Sequence, residues 1–266
     1  MQVALAGVLG FPVAHSRSPD MHNAAFEALG LEWRYVKLPV PPDLFAETVR
    51  ALPGSGFRGA NVTIPHKLAA LEIADERTPS ADAIGAANTL TFLDGGGIEA
   101  HNTDAPGFIA ALGEDVRGLK AVVLGAGGAG RAIAWALREA GAAEVAIWNR
   151  TPERATDLAN ELGLSSVLRP PPSDLLVNAT SVGLEPRLDE AKTLAELQLD
   201  QLDPPRILAD LVYADSPTPL INWAARGGSR TVDGLEVLVR QGALSFERWT
   251  GLDAPVDAMR EAAASR

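Results

Sequence analysis

The sequence contains no cysteine. That absence excludes disulfides, a thiolate nucleophile and zinc–thiolate sites, and it fits a reducing compartment, so the cytoplasm is the expected location. Aromatic residues are sparse at 5%, and 23 Lys and Arg face 34 Asp and Glu for a formal net charge of −11. Such a chain repels a phosphate backbone, and no stretch interleaves basic and aromatic residues as a single-strand groove requires; no nucleic acid partner is expected. Long hydrophobic runs are missing too. Residues 1–16 are apolar, but they lack a basic flank and are broken by Gly7, Gly10 and Pro12, so they read as a strand and turn rather than a leader. No other stretch approaches the roughly 20 apolar residues of a membrane span, and no membrane partner is expected. Histidine occurs four times, never at a metal-ligand spacing such as H-E-x-x-H, and no metal is expected.

What is present describes a globular protein. Of 266 residues, 47% are hydrophobic and 21% charged, enough to bury a sizeable core and more than one domain's usual length, so two domains are expected. There is no internal repeat, and low complexity is confined to Pro170-Pro171-Pro172. Val3 to Val8 reads as a buried strand. Ser18 before Pro19 reads as a helix start, with the hydroxyl at the N-cap and proline at N1. WRYVKL, a helix from Asp43 to Leu52, the strand FRGANVTI, a short helix after Pro65 and a hairpin around Gly95-Gly96-Gly97 continue an α/β pattern ending near Asn102. From Leu119 a βαβ unit begins. LKAVVLG is the uninterrupted apolar run of a parallel strand, Ile133, Leu137 and Ala140 recur at helical spacing, and EVAIWN is a second strand. Further apolar runs at Asp174 to Ala179, Ile207 to Leu211 and Ser229 to Val232 alternate with helical stretches, as in a doubly wound sheet. The segment from about Glu236 reads as two consecutive helices.

Gly125-Ala126-Gly127-Gly128-Ala129-Gly130 matches G-x-G-x-x-G directly after a strand and at the opening of a helix. The first glycine permits the tight turn, the second lets a pyrophosphate approach the backbone, and the third lets helix and strand pack closely. A bare glycine turn is the alternative, and the strand–helix–strand context argues against it. At the end of the second strand, where an NAD site carries Asp or Glu for the ribose hydroxyls, stand Asn149-Arg150-Thr151, with Arg154 one turn on. Arginine presents a planar fork to a phosphate, so NADP is the expected cofactor, with Arg150 and Arg154 on the 2'-phosphate.

Taken singly, the other notable residues are weak signals: Ser18 reads as a cap, Lys67 as a surface lysine, and Asp104 as a cap for APGFIAAL. Their joint order is informative. His15-Ser16-Arg17-Ser18-Pro19, Asn61-Val62-Thr63-Ile64-Pro65-His66-Lys67, Gly85-Ala86-Ala87-Asn88-Thr89, Asn102-Thr103-Asp104, the glycine loop and Asn149-Arg150-Thr151 follow one another. Asn178-Ala179-Thr180-Ser181-Val182-Gly183, Asp210-Leu211-Val212-Tyr213 with Thr218-Pro219-Leu220, and Asp233-Gly234-Leu235 leading to Gln241-Gly242-Ala243 complete the series.

This series resembles the shikimate dehydrogenase family from Gly7 to the C-terminal helices. The resemblance implies an α/β substrate domain, residues 1–103 with 236–266, whose C-terminal helices return to it, and a Rossmann-like NADP-binding domain, residues 104–235. It implies a small-molecule substrate, NADPH-dependent reduction of 3-dehydroshikimate to shikimate in the cleft between domains, and a monomer or homodimer. By the same resemblance Ser16 and Ser18 hold the substrate carboxylate with Tyr213 nearby. Thr63, Lys67, Asn88, Asp104 and Gln241 surround the ring oxygens, and Lys67 and Asp104 form the catalytic pair. The cofactor contacts include Thr180, Val212 and Gly234 beside the glycine loop and the Asn149–Arg154 segment.

Several positions depart from the family pattern. Phe11 stands in place of an asparagine, His66 occupies a position that tolerates other residues, and Asp215 replaces a proline after Tyr213. Arg169-Pro170-Pro171-Pro172-Ser173 replaces a longer crossover. Five or six extended residues reach about 20 Å, enough to cross three strand spacings of roughly 14 Å in all, provided that no helix forms. The third strand, near Ser166 to Leu168, is therefore expected to be a short edge strand followed by extended chain. Two alternatives share the fold: a quinate/shikimate dehydrogenase of relaxed substrate or cofactor choice, of which Arg150 argues against an NAD-preferring version, and a nonenzymatic NADP-sensing module, against which Lys67 and Asp104 argue.

Overall fold

The computed structural model describes residues 3–184 and 189–265. The chain forms two compact units, Met1–Gly107 with Leu238–Arg266, and Phe108–Val237.

The first unit contains β1 (Ala4–Gly10), α1 (Ser18–Ala28), β2 (Trp33–Pro39), α2 (Phe45–Ala51), β3 (Phe57–Val62), α3 (Lys67–Glu72), β4 (Glu76–Arg77), α4 (Pro79–Ile84), β5 (Thr89–Phe92) and β6 (Ile98–His101). α5 (Asp104–Leu112) begins in this unit. The strands form one mixed sheet in the order β2-β1-β3-β5-β6-β4. β1 pairs parallel with β2 and β3, whereas β5 runs antiparallel to β3 and β6. Phe45 and Val49 of α2 pack on Leu9, Val62 and Leu90 of the sheet. Both are essentially buried, each contributing about 1.5–3 kcal/mol. The helix expected from Asp43 opens instead with a 3-10 turn, Pro42–Leu44, because the Pro41-Pro42 pair removes two backbone donors at its start.

One capping expectation is corrected. α1 begins at Ser18 itself, and Arg17 holds the N-cap position without a side-chain cap bond. The Ser18 hydroxyl instead meets Ser16, which donates to it at 3.2 Å.

The second unit contains β7 (Lys120–Leu124), α6 (Gly128–Glu139), β8 (Glu144–Trp148), α7 (Pro152–Leu162), β9 (Ser165–Val167), β10 (Leu175–Asn178), α8 (Glu190–Glu196), β11 (Ile207–Asp210), α9 (Pro219–Arg226) and β12 (Arg230–Val232). Its sheet is wholly parallel, in the order β12-β11-β10-β7-β8-β9. That is the doubly wound order, with a switch point between β7 and β10. β7 shows why its sequence is apolar throughout. Ala121 and Val123 join one core with Ile133, Leu137 and Leu158. Val122 and Leu124 join another with Leu220, Trp223 and Ala224 on the opposite face. β9 is a short edge strand, and residues 168–173 run to β10 without helix, as the proline run requires.

α10 (Gly234–Thr250) starts in the second unit and continues into the first, where α11 (Val256–Ala264) packs against α1. Arg17, itself buried, donates through Nη1 to the Ala263 carbonyl at 2.9 Å. Among the described residues no helix is long and apolar enough to cross a membrane.

Candidate functional site

In the first unit, three chain reversals converge at the C-terminal end of β3. Thr63 leaves β3 with its amide on the Leu9 carbonyl at 2.9 Å and its own carbonyl on the His66 amide at 2.9 Å. His66 is buried, its ring stacked on Phe45 at 4.4 Å and its Nε2 2.7 Å from the Val40 carbonyl. This anchors the start of α3, whose first residue is Lys67. Asp104 is the first residue of α5. It does not cap the helix: Asn102 Oδ1 accepts from the Ala105 amide at 3.2 Å, and Asn102 Nδ2 donates to the Ala86 carbonyl at 2.9 Å. The Asp104 carboxylate thereby meets Lys67, whose Nζ donates to Oδ2 at 2.6 Å. The two side chains keep only 12% and 13% of their surface, so the pair is poorly screened.

Asn88 joins this pair to α10. Its Nδ2 lies 2.9 Å from Asp104 Oδ1 and 3.1 Å from Gln241 Oε1, and its Oδ1 accepts from the Thr103 amide at 2.7 Å. The structure thus brings together Lys67, Asp104, Asn88 and Gln241 as one hydrogen-bonded group. Half-buried Thr63 lies four residues before Lys67 on the β3–α3 turn, while Ser16 and Ser18 form their own buried pair at the start of α1. Tyr213 lies in the second unit, half-buried in the loop after β11.

In the second unit, Gly125 turns the chain at φ +110, a conformation that favours glycine. A side chain at Gly130 would strike the Gly125 carbonyl, whereas the space around Gly127 is open. The first and third glycines are therefore needed for the turn and the packing, and the second leaves room at the N-terminus of α6, where amides and helix dipole favour an anion. Ala126 donates its amide to Asn149 Oδ1 at 3.2 Å, tying the loop to the end of β8. Gly128 and Ala129 lie in the first turn of α6. Thr151 precedes α7, with its carbonyl accepting from Asn149 Nδ2 at 2.9 Å and from the Arg154 amide at 3.2 Å. Arg150 is 83% exposed at its side chain, 3.6 Å from Glu196 Oε1, and Arg154 is exposed. The residues fit a dinucleotide carrying an additional phosphate: open glycine backbone at a helix N-terminus, and two exposed arginines at the end of the second strand.

At the ends of β10 and β11, Thr180 and Val212 are braced by Asn178 and Asp210, whose contact with each other the motif series did not reveal. Asn178 Oδ1 accepts from the Thr180 hydroxyl at 2.7 Å, and Asn178 Nδ2 donates to Asp210 Oδ1 at 2.8 Å. Asp210 also accepts from the Val212 amide at 3.1 Å and the Thr218 hydroxyl at 2.6 Å. Gly234 packs bare against the Leu211 carbonyl. Burial pushes the Asp210 carboxyl up to about 6, against the opposing effect of these donors. Asp and Asn at the ends of adjacent apolar strands are the signal that could have found it.

Two further features were not legible. Asn61 accepts from the Tyr35 hydroxyl at 2.7 Å and donates to Ser245 at 2.9 Å, linking β2, β3 and α10. His22 and His101 are buried neutral rings: desolvation lowers His22 to about 3, and desolvation with nearby Arg248 lowers His101 to about 4 despite Glu99 at 2.8 Å. Among the described residues no cluster of His, Cys, Asp or Glu could hold a metal ion.

A parallel doubly wound sheet with a glycine turn at its first crossover makes the second unit a Rossmann-like domain, and the first unit adds a separate mixed-sheet domain with a buried lysine–aspartate pair. Family comparisons narrow this class. The chain matches the shikimate dehydrogenase substrate binding domain over residues 8–90, shikimate / quinate 5-dehydrogenase over 109–178 and the shikimate 5'-dehydrogenase C-terminal domain over 234–264. It is 46% identical to a shikimate dehydrogenase (NADP(+)) of Methanopyrus kandleri, over 97% of this chain and 94% of that one. Two similar solved structures are shikimate 5-dehydrogenase of Thermus thermophilus in complex with NADP(H) and shikimate (TM-score 0.84, 43% identity, 98% of each chain) and shikimate dehydrogenase of Aquifex aeolicus (TM-score 0.88, 34% identity, 98% of this chain and 97% of that one). The chain belongs to the shikimate dehydrogenase family.

Proposed function

We propose that this protein reduces the ring carbonyl of 3-dehydroshikimate to the alcohol of shikimate, reversibly and with NADPH. The observation that carries the reading is the 2.6 Å contact between Lys67 and Asp104 in a nearly buried polar group. When bound, NADPH would supply the hydride. Reduction leaves negative charge on the carbonyl oxygen, and Lys67 stabilises that charge and donates the proton from Nζ. Asp104 orients Nζ through Oδ2, while Asn88 steadies the other carboxylate oxygen.

Asn88, Gln241 and Thr63, with Lys67 and Asp104, hold the ring oxygens, and Ser16 and Ser18 take the substrate carboxylate with Tyr213. Such an array rejects analogues lacking a hydroxyl, because its own buried polar groups are then left unpaired. On the cofactor side, the open backbone at Gly127 and the exposed guanidinium groups of Arg150 and Arg154 support binding of pyrophosphate and 2'-phosphate. Thr180, Val212 and Gly234 complete that side. The lack of cysteine supports the cytoplasm as the working compartment.

The test is an absorbance assay at 340 nm, pairing shikimate or quinate with NADP+ or NAD+. Shikimate with NADP+ should be turned over fastest. Equal turnover with quinate would contradict the substrate reading, and equal use of NAD+ the cofactor reading.

A further inference from the structure

Gly107 lies one turn beyond Asp104 on α5. A Cβ built on it would lie 2.7 Å from N, Cα and Cβ of Gln241. These are atoms of the α10 backbone and its root, not the tip of a flexible side chain, so they cannot step aside singly. The bare backbone of Gly107 is what allows the first turn of α5 to touch α10 at Gln241.

The next two turns of α10 are fastened as well. Ser245 accepts from Asn61 at 2.9 Å and lies 2.8 Å from the Thr89 hydroxyl, and Trp249 donates Nε1 to the Leu90 carbonyl at 3.0 Å. With those turns held, the reach of Gln241 toward Asn88 is set by how closely α10 approaches α5. Restoring ordinary contact to an added Cβ asks for a separation of about 0.7 Å. A shift of that size carries the 3.1 Å Asn88–Gln241 bond beyond hydrogen-bond reach.

We propose that Gly107 is a positioning residue, and that its close contact with Gln241 sets how Gln241 reaches Asn88 in the group that receives the substrate's ring hydroxyls. The proposal rests on the substrate reading above. A role in packing alone predicts lost stability with unchanged kinetics in the surviving folded protein. A positioning role predicts a change confined to the substrate side.

The experiment is steady-state oxidation of shikimate by the full chain, comparing wild type, Gly107→Ala, Gln241→Ala and the double variant. Gly107→Ala should raise KM for shikimate about tenfold, the equivalent of one buried hydrogen bond, while KM for NADP+ stays within about twofold. In the Gln241→Ala background the same change should add less than about twofold, because the Asn88–Gln241 bond through which it acts is already absent. An active wild type with KM for shikimate unmoved by Gly107→Ala, or with fully multiplying effects, overturns the proposal alone. A wild type that does not oxidise shikimate overturns the function reading and this proposal with it. Should Gly107→Ala not fold, Gln241→Asn decides. A seated helix cannot advance to replace the missing methylene, so KM should rise as it does in Gln241→Ala, and a wild-type KM in Gln241→Asn overturns the proposal.

Discussion

Asn88 holds Asp104 by the oxygen that Lys67 leaves open, donating to Oδ1 at 2.9 Å while Lys67 takes Oδ2 at 2.6 Å. Asn88 also accepts from the Thr103 amide, so it fixes both the carboxylate and the turn that carries it. Asn88→Ala should lower kcat/KM for shikimate by about 10²-fold, since buried donors and acceptors left unpaired cost about 1–3 kcal/mol each. KM for NADP+ should hardly move. Steady-state kinetics with each substrate varied in turn checks both parts, and a change confined to the cofactor KM would be contrary to this account.

Arg150 is exposed and only loosely paired with Glu196, which leaves its guanidinium available to a phosphate. Arg150→Ala should raise KM for NADP+ by about 10- to 100-fold, the usual worth of a charged hydrogen bond, with kcat nearly unchanged. The effect should shrink as salt is raised. An unaltered NADP+ KM at low salt would remove Arg150 from the cofactor site.

Much of this architecture was legible in the sequence, for reasons the structure makes plain. β7 and β10 are buried on both faces and so read as unbroken apolar runs, and the glycine loop has hard steric reasons at Gly125 and Gly130. The proline run ruled out a helix before β10. What escaped notice was short or relational. α4 spans only Pro79–Ile84, although Thr78 at its N-cap and left-handed Gly85 at its end mark both boundaries. The shift of α5's cap from Asp104 to Asn102 is a choice between two neighbouring polar residues, and the Asp210 brace and the Asn61–Ser245 link are contacts between distant segments. Residue type alone does not separate such contacts from ordinary surface polarity.

The buried histidines oppose folding in acid. His22 and His101 are held to about 3 and about 4, against an ordinary 6.5. The unfolded chain therefore takes up protons below pH 6.5 that the folded chain refuses, and stability is lost as pH falls from there. Asp210 works in the opposite sense. Raised from 3.8 to about 6, it is protonated in the fold while still ionised in the unfolded chain, so it gains stability as pH falls through that window. Two imidazoles outweigh one carboxyl, so Tm should fall between pH 7 and pH 5. His22→Phe, which keeps the stack on Tyr35, should reduce the slope. An identical slope in wild type and variant would show that His22 is not the group responsible.

The proposed mechanism makes Lys67 the proton donor of the reaction and Asp104 the group that orients it. The direct measurement is kcat of Lys67→Ala with shikimate and NADP+ both saturating. Losing a general acid costs about 10²- to 10⁴-fold in rate, so kcat should drop at least that far while KM for NADP+ stays near the wild-type value. A Lys67→Ala enzyme with near-normal kcat and only a raised KM for shikimate would make this lysine a binding residue and contradict the mechanism.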